Sequence, residues 1–201
     1  MLRLYDYLES GNSYEVRLLL HQLGVPFERV AVDILKGESR TQAFLQRNPN
    51  GRIPLLELED GTGLAESNAI LWYLAEGSAF LPASRLQRAQ ALQWMFFEQY
   101  SHEPYIAVLR LWHHAGVLER NRAAVPEKRE RGMQALAVMD RHLAEQRFFV
   151  GDGYSVADIA LYAYTHVAHE GGFDLSDHRC VRDWLERVRA RPGHVPITYA
   201  A

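Results

Sequence analysis

The pattern of apolar and polar positions changes character partway along the chain. Up to residue 77, short segments with strand-like alternation lie between segments with helical spacing. Beyond that point strand signals are absent, and long amphipathic stretches with helical periodicity follow. The pattern therefore predicts two domains: 1–77, of mixed α and β structure, and 85–201, all helical. Residues 78–84, which include Pro82, are expected to link them.

The first domain is predicted to have the element order βαβ–α–ββα. A helix between the first two strands lets them run parallel, and the tight turn at 59–63 makes the last two antiparallel. Strands are expected at 2–7, 27–32, 54–58 and 63–65, with helices from Ser10 to Gly24, at 41–47 and at 68–75. In the second domain, helices are expected at 86–114 (with a kink at Pro104), 127–145, 156–169 and 179–190.

One local signal in the second domain predicts structure rather than chemistry. Ser155 precedes a helical stretch, and Asp158 follows three residues later, which is the spacing of a capping box. Tyr154 and Ile159 are spaced as a hydrophobic staple around it. We therefore expect a helix to begin at this point.

Composition and charge exclude several classes of protein. The 201 residues are 48% hydrophobic and carry a net charge of −3, so nucleic acid is not expected as a partner. The single cysteine, Cys180, rules out an intrachain disulfide and is expected to pack as a small hydrophobe. The first residues lack the apolar run of a signal peptide, and no segment approaches the roughly 20 apolar residues of a membrane span. We therefore expect a cytoplasmic protein with no membrane partner.

Four segments, in this order, carry a resemblance to a known family. They are YDYLESGNSYEVR at 5–17, NPNGRIP at 48–54, ESNAI at 66–70 and SVAD at 155–158. Together they resemble the catalytic loop, the cis-proline loop, the acid-serine motif and the capping motif of cytosolic glutathione transferases. The chain is most similar to the bacterial serine- or threonine-type members, near the theta, zeta and nu classes. The resemblance implies an α+β protein, with a thioredoxin-like first domain followed by an all-helical one.

The resemblance places Ser10 at the position of the hydroxyl that activates the glutathione thiol. The thiolate is the nucleophile, and a hydroxyl donor at a helix N-terminus favours that charged form. Asn12 is expected to donate a second hydrogen bond. Two alternatives remain open: Ser10 or Ser13 acts only as a helix cap, and Tyr5 or Tyr7 takes the catalytic role.

The other glutathione contacts are also implied by the resemblance. A cis peptide bond between Ile53 and Pro54 would present the Ile53 backbone to the cysteinyl backbone of glutathione. Ser67 is expected to bind the γ-glutamyl carboxylate at a helix start, and Glu66 the ammonium group. Arg52 and Lys36 are candidates for the glycyl carboxylate, and Gly51 stands where some relatives have histidine.

The second substrate is expected to be a small hydrophobic electrophile in a cleft that includes Tyr100, Tyr105 and Trp112. His166 and His169 have ligand-like spacing, but no acid or cysteine completes a metal set, so no metal site and no cofactor beyond glutathione as co-substrate are expected. The resemblance implies a homodimer. Two other functions remain open: glutathione-dependent reduction of disulfides or peroxides without a protein cysteine, and a non-catalytic interaction module.

Overall fold

The computed structural model describes residues 1–200 and divides the chain into two units. One unit comprises Met1–Glu76 together with Pro192–Ala200, and the other comprises Gly77–Arg191. The α+β class and the thioredoxin-like first domain are confirmed. The predicted second domain, 85–201, differs from the observed unit at its end, because the chain from Pro192 packs with the first unit.

The first unit is a four-stranded mixed sheet with three helices. Strand β1 runs parallel to β2 and antiparallel to β3, which is antiparallel to β4, in the order β2-β1-β3-β4. The elements are β1 (Leu2–Asp6), α1 (Gly11–Leu23), β2 (Phe27–Ala31), α2 (Gln42–Leu45), β3 (Leu55–Glu57), β4 (Gly63–Ala65) and α3 (Ser67–Ala75). The predicted order βαβ–α–ββα is therefore observed.

Both faces of this sheet are covered by apolar side chains. On one face α1 and α3 pack on the sheet, and the buried cluster there is Leu4, Val16, Leu20, Leu56 and Ile70. A second buried cluster is formed by Tyr5, Val32, Phe44 and Leu55. Consecutive β1 residues therefore belong to different clusters, which is the consequence of the two-residue period of a strand.

The second unit is helical. Its helices are α4 (Arg85–Phe97), α5 (Glu103–His114), α6 (Val125–Glu145), α7 (Val156–Thr165) and α8 (Arg179–Arg189). The single helix predicted at 86–114 is interrupted by a π-helical segment, Glu98–His102, and Pro104 lies in the first turn of α5, where a missing N–H is tolerated. The helix predicted at 156–169 ends at Thr165. Within residues 1–200, no helix is long and apolar enough to cross a membrane.

The capping box predicted at the start of α7 is confirmed, and its acid has further partners. Asp158 is fully buried and accepts from the amides of Ser155 (3.0 Å) and Phe149 (3.2 Å). It also accepts from the indole Nε1 of Trp184 at 2.9 Å. The Asp158 carboxylate thus joins α7, α8 and the loop that precedes α7. Burial raises the pKa of Asp158 to about 6, and these hydrogen bonds oppose the rise.

We expect Asp158→Asn to lower the free energy of unfolding by about 1–3 kcal/mol, because the amide offers one acceptor oxygen where several donors converge. The effect should depend on pH. Since the folded pKa lies above the unfolded value of about 3.9, the stability contributed by Asp158 falls as pH rises from about 4 to about 6. The difference in the free energy of unfolding between wild type and variant, measured by urea unfolding, should therefore be smaller at about pH 7 than at about pH 4.

Asp140→Asn is the matched control. Asp140 accepts from the Val181 amide at 3.0 Å and is only half-buried, so the same substitution should change stability by less than about 1 kcal/mol. A gap for Asp158→Asn that stays constant across this pH range would contradict the assignment of a raised pKa.

Candidate functional site

The register of the sheet brings three predicted site segments to one end of the first unit. Tyr5 on β1 pairs with Leu55 on β3, and Leu55 pairs with Ala65 on β4. Just beyond this row, β1 leads into the turn that ends at Ser10. Ile53–Pro54 leads into β3, and β4 leads into Glu66–Ser67. Neighbouring strands lie about 4.8 Å apart, so the three segments begin within about 10 Å of one another.

The turn between β1 and α1 places Ser10 at the helix N-terminus. The Ser10 N–H donates to the carbonyl oxygen of Tyr7 at 2.9 Å, and the Ser10 Oγ accepts from the Ser13 amide at 3.3 Å. Ser10 has extended backbone angles and is the N-cap of α1, so the capping role is observed. Asn12 lies in the first turn of α1 and is half-buried. The first amides of α1 provide donors to an anion here.

The Tyr5 hydroxyl has a partner of its own. It donates to Glu57 Oε2 at 3.0 Å, and the Tyr5 ring is 8% exposed. Burial and this hydrogen bond raise the pKa of Tyr5. A phenol that is buried and engaged with a carboxylate is poorly suited to donate to a thiolate, which favours Ser10 over Tyr5.

The loop before β3 is held by the side chain of Asn48. The Ile53–Pro54 bond is cis, as expected. Buried Asn48 donates to the carbonyl oxygen of Arg52 at 2.8 Å and accepts from the Asn50 amide at 3.1 Å. Neither the N–H nor the C=O of Ile53 joins the backbone hydrogen bonds found among residues 1–200 outside helices and strands.

The start of α3 carries the one non-glycine residue with positive φ in residues 1–200. Glu66 has φ 67° and ψ 111°, and its side chain makes no capping hydrogen bond. Its Oε1 accepts from Asn50 Nδ2 at 3.5 Å, while Ser67, the first residue of the helix, is 5% exposed. Left-handed backbone at a non-glycine residue is costly and is concentrated at ligand sites, which makes Glu66 and Ser67 candidates for ligand contact.

Arg52 and Lys36 are both on the surface. The Lys36 Nζ pairs with Asp33 Oδ2 at 3.0 Å, and this hydrogen bond raises the pKa of Lys36. Arg52 is exposed, and its carbonyl oxygen accepts the Asn48 hydrogen bond described above. Arg40, which the sequence did not single out, donates from Nη1 to the Asn50 carbonyl oxygen at 2.8 Å.

The helical unit contains a cavity of about 340 Å³. Two of the three aromatic residues expected in an electrophile cleft line it: Tyr100, which is exposed, and Tyr105. Trp112 does not line this cavity. The Lys128 Nζ lies 5.5 Å from the Trp112 ring centroid and 5.6 Å from that of Tyr105. The remaining lining residues are Phe97, Ser101, Arg131, Gln134, Ala135 and Val138.

The histidines do not form a metal site in the part of the chain that the structure describes, where no group of three or more potential ligands comes together. His166 and His169 lie in different surroundings. The His166 ring stacks on the Tyr162 ring with centroids 4.6 Å apart, and His169 lies in a separate 3-10 turn. Cys180 lies at the start of α8 and is half-buried.

Comparison with known proteins agrees with this geometry. The chain matches the family models "Glutathione S-transferase, N-terminal domain" over residues 1–76 and "Glutathione S-transferase, C-terminal domain" over residues 89–192. This chain belongs to the glutathione S-transferase family. It is therefore a glutathione transferase, and the family uses glutathione as a substrate.

Individual relatives cover almost the whole of this transferase. The crystal structure of a glutathione S-transferase from Pseudomonas fluorescens is 54% identical, with a TM-score of 0.95 and 98% of each chain covered. Glutathione S-transferase GstB of Escherichia coli K12 is 30% identical, with 96% of this chain and 95% of the relative covered. Disulfide-bond oxidoreductase YfcG of the same organism is 29% identical over 96% of this chain and 92% of its own.

The sequence did not identify a buried charge cluster beside the Ser10 turn. Asp6, at the end of β1, is fully buried, and its Oδ2 lies 2.7 Å from Arg29 Nε and 3.2 Å from Arg17 Nε. The sequence did contain a signal for this cluster, because α1 is apolar around most of its circumference. A charged residue inside such a helix is buried too and must be paired.

The transferase holds the cis-proline loop through a glycine that has no room for a side chain. Gly51 has φ 61°, and a Cβ built on it would lie 2.6 Å from Arg40 Nη1 and 2.9 Å from the Ser39 carbonyl oxygen. We expect Gly51→Ala to destabilise the protein and to raise the KM for glutathione, because the loop must move away from Ser39. Urea unfolding and steady-state kinetics measure the two effects.

Gly61→Ala is the matched control, since Gly61 has φ 86° but nothing lies within 4 Å of the position that a Cβ would take there. Both variants incur the left-handed backbone cost of about 1–2 kcal/mol, and Gly51→Ala should lose about 1–3 kcal/mol more from overpacking. Equal losses, or an unchanged KM in Gly51→Ala, would show that the close packing at Gly51 is irrelevant to the site.

Proposed function

We propose that glutathione binds across the Tyr5–Leu55–Ala65 row, with its sulfur at Ser10. The observation that carries this is the sheet register, which places the Ser10 turn, Ile53–Pro54 and Glu66–Ser67 at one end of the sheet. The unpaired backbone groups of Ile53 suit an added peptide strand. The first amides of α3 suit the γ-glutamyl carboxylate, and the Glu66 carboxylate suits the ammonium.

The glycyl carboxylate is assigned to Arg52 and Lys36. Both cations are exposed, and Arg52 belongs to the loop that carries Ile53. Lys36 already pairs with Asp33, so it would have to share or exchange that partner. Arg52 is therefore the stronger candidate of the two.

Ser10 acts on the thiol by favouring its ionised form. The Ser10 Oγ accepts from the Ser13 amide, which leaves the hydroxyl hydrogen to donate to a thiolate. The amides and dipole at the α1 N-terminus, with Asn12 as a second donor, add to the stabilisation. A free thiol has a pKa near 8.5, so each unit of lowering corresponds to about 1.4 kcal/mol of preference for the thiolate.

The thiolate then attacks an electrophilic carbon of a small hydrophobic substrate. The sulfur electron pair forms the S–C bond, and the leaving group departs with the electrons of the broken bond. The cavity lined by Tyr100 and Tyr105 is the proposed site of that substrate, because it combines aromatic walls with a few polar groups. We further propose, from family membership, that the enzyme acts as a homodimer in the cytoplasm.

We expect Ser10→Ala to lower kcat for an aryl halide by about 10²-fold, comparable with the loss of one oxyanion-hole donor, and to raise the pKa seen in the kcat/KM profile. Ser10→Thr keeps the hydroxyl and should retain most of the activity. Ser13→Ala is the control, since the Ser13 Oγ is fully buried and only its amide meets Ser10. Wild-type kcat in Ser10→Ala would remove Ser10 from the mechanism, and calorimetry with glutathione separates binding from activation.

The electrophile cavity is tested by Tyr105→Leu. We expect a severalfold rise in the KM for the aryl halide with little change in the KM for glutathione, because Tyr105 lines the cavity. Trp112→Leu is the control, because Trp112 also contacts Lys128 but does not line the cavity. If the two variants change the same kinetic constants to the same extent, the cavity is not the acceptor site.

Disulfide reduction by two glutathiones is the second candidate. It is favoured by Asn12 beside Ser10, a pair of donors that suits a thiolate, and by the similarity to the E. coli disulfide-bond oxidoreductase. One glutathione thiolate attacks the disulfide, forms a mixed disulfide and expels one substrate thiolate. The second attacks the glutathione sulfur of the mixed disulfide and expels the other substrate thiolate, which yields glutathione disulfide, so no protein cysteine is oxidised. Comparing turnover of an aryl halide with that of a small disulfide decides between the two. The retained Ser10, Glu66 and Ser67 argue against a purely non-catalytic module.

A further inference from the structure

The guanidinium of Arg17 joins the turn that carries Ser10 to the C-terminal segment of the chain. Arg17 lies on α1 and is only 1% exposed. Its Nη2 donates to the carbonyl oxygen of Leu8 at 2.7 Å, and its Nη1 donates to the carbonyl oxygen of Tyr199 at 2.8 Å. One planar group therefore fixes two backbone carbonyls from opposite ends of the chain.

The Leu8 carbonyl belongs to the turn that sets the position of Ser10. The Ser10 N–H donates to Tyr7 across this turn at 2.9 Å, with Leu8 and Glu9 as its central residues. Ser10 is the last residue of the turn and the N-cap of α1. A rotation of the Leu8 peptide therefore displaces the Ser10 hydroxyl relative to the helix N-terminus.

The shape of the guanidinium allows Arg17 to bind both carbonyl oxygens at once. Its Nε lies 3.2 Å from Asp6 Oδ2, so one edge faces a carboxylate while the two Nη groups face the carbonyls. Burial lowers the pKa of Arg17, and the nearby Asp6 carboxylate opposes this change. A lysine ammonium in the same place is a single point and cannot reach both carbonyls from beside Asp6.

The C-terminal segment, defined as Pro192–Ala200, packs against the face of α1 that carries Arg17. The Tyr14 hydroxyl donates to the Val195 carbonyl oxygen at 2.7 Å, and Ile197 is only 7% exposed. The Tyr199 ring meets the His21 ring edge-on at 5.1 Å. The C-terminal segment thus contacts α1 at several points, and these contacts place the Tyr199 carbonyl next to Arg17.

We propose that Arg17 is a positioning residue for thiol activation and that the C-terminal segment completes the scaffold of the Ser10 turn. The inference rests on the proposed role of Ser10. Without the Tyr199 carbonyl, one buried N–H of Arg17 loses its acceptor, and the guanidinium is free to turn away from Leu8. Small displacements of an activating group have large kinetic effects, since catalytic geometry must be held within about 0.5 Å.

Two shortened chains test the segment without altering Arg17 or Ser10. A chain ending at Pro196 lacks the Tyr199 carbonyl but keeps the Tyr14 contact with Val195. A chain ending at Tyr199 is the control, because its terminal carboxylate still offers an acceptor to Arg17. The readouts are kcat, the KM for glutathione, and the pKa of bound glutathione from its ultraviolet thiolate absorbance.

We expect the chain ending at Pro196 to show about a tenfold lower kcat and a raised pKa of bound glutathione, with the KM for glutathione changed by less than about threefold. The chain ending at Tyr199 should resemble wild type. In a Ser10→Ala background the same shortening should no longer change the thiol pKa, because the effect acts through Ser10. A merely structural segment would lower thermal stability and leave the thiol pKa and kcat per folded molecule unchanged, which overturns the inference.

Arg17→Lys and Arg29→Lys form the second comparison. Both arginines pair with Asp6, but only Arg17 reaches Leu8 and Tyr199. We expect Arg17→Lys to raise the thiol pKa and Arg29→Lys to leave it unchanged, and equal effects would overturn the inference. An unchanged thiol pKa in Ser10→Ala would refute the proposed role of Ser10 and this inference with it. A shift in Ser10→Ala, with none in the shortened chain or in Arg17→Lys, would overturn this inference alone.

Discussion

Backbone groups that regular secondary structure leaves unpaired are gathered at one end of the sheet, and the site depends on this constraint. The first amides of α1 and α3 have no partner within their own helices, and Ile53 precedes the β3 ladder. The pairing of Tyr5, Leu55 and Ala65 brings these groups together. Glutathione carries peptide groups and carboxylates, which is why we propose that it binds at this end of the sheet.

Each unit also contains a buried aspartate that joins several segments, but Asp6 and Asp158 are satisfied differently. Asp6 faces two guanidinium groups, from Arg17 and Arg29, so its neighbours are cations. Asp158 faces neutral N–H donors from Ser155, Phe149 and Trp184 and no cation, which is why burial prevails and raises the pKa of Asp158 to about 6. A buried acid costs free energy unless its oxygens are engaged, and the partners of Asp6 Oδ2 and of both Asp158 oxygens offset that cost.

The same thiolate serves conjugation and disulfide reduction, because both begin with attack by sulfur. What differs is the atom presented to it, a carbon with a leaving group or a sulfur of a disulfide. The residues that bind glutathione therefore do not decide between the two reactions. That decision belongs to the second substrate, for which we propose the cavity lined by Tyr105 in the helical unit.

The sequence by itself determined the element order and the capping box at Ser155, and its ordered motifs, through their resemblance to glutathione transferases, nominated Ser10, Ile53–Pro54 and Glu66–Ser67. These follow from local rules: residue periodicity, cap chemistry and ordered motifs, each confined to a few neighbouring residues. Only the tertiary structure decided that the chain from Pro192 packs with the first unit, that Trp112 contacts Lys128 rather than the cavity, and that Arg17 joins Leu8 to Tyr199. The reason is physical: each of these depends on contacts between residues distant in the chain, and a buried arginine takes whichever acceptors the packed backbone brings within reach.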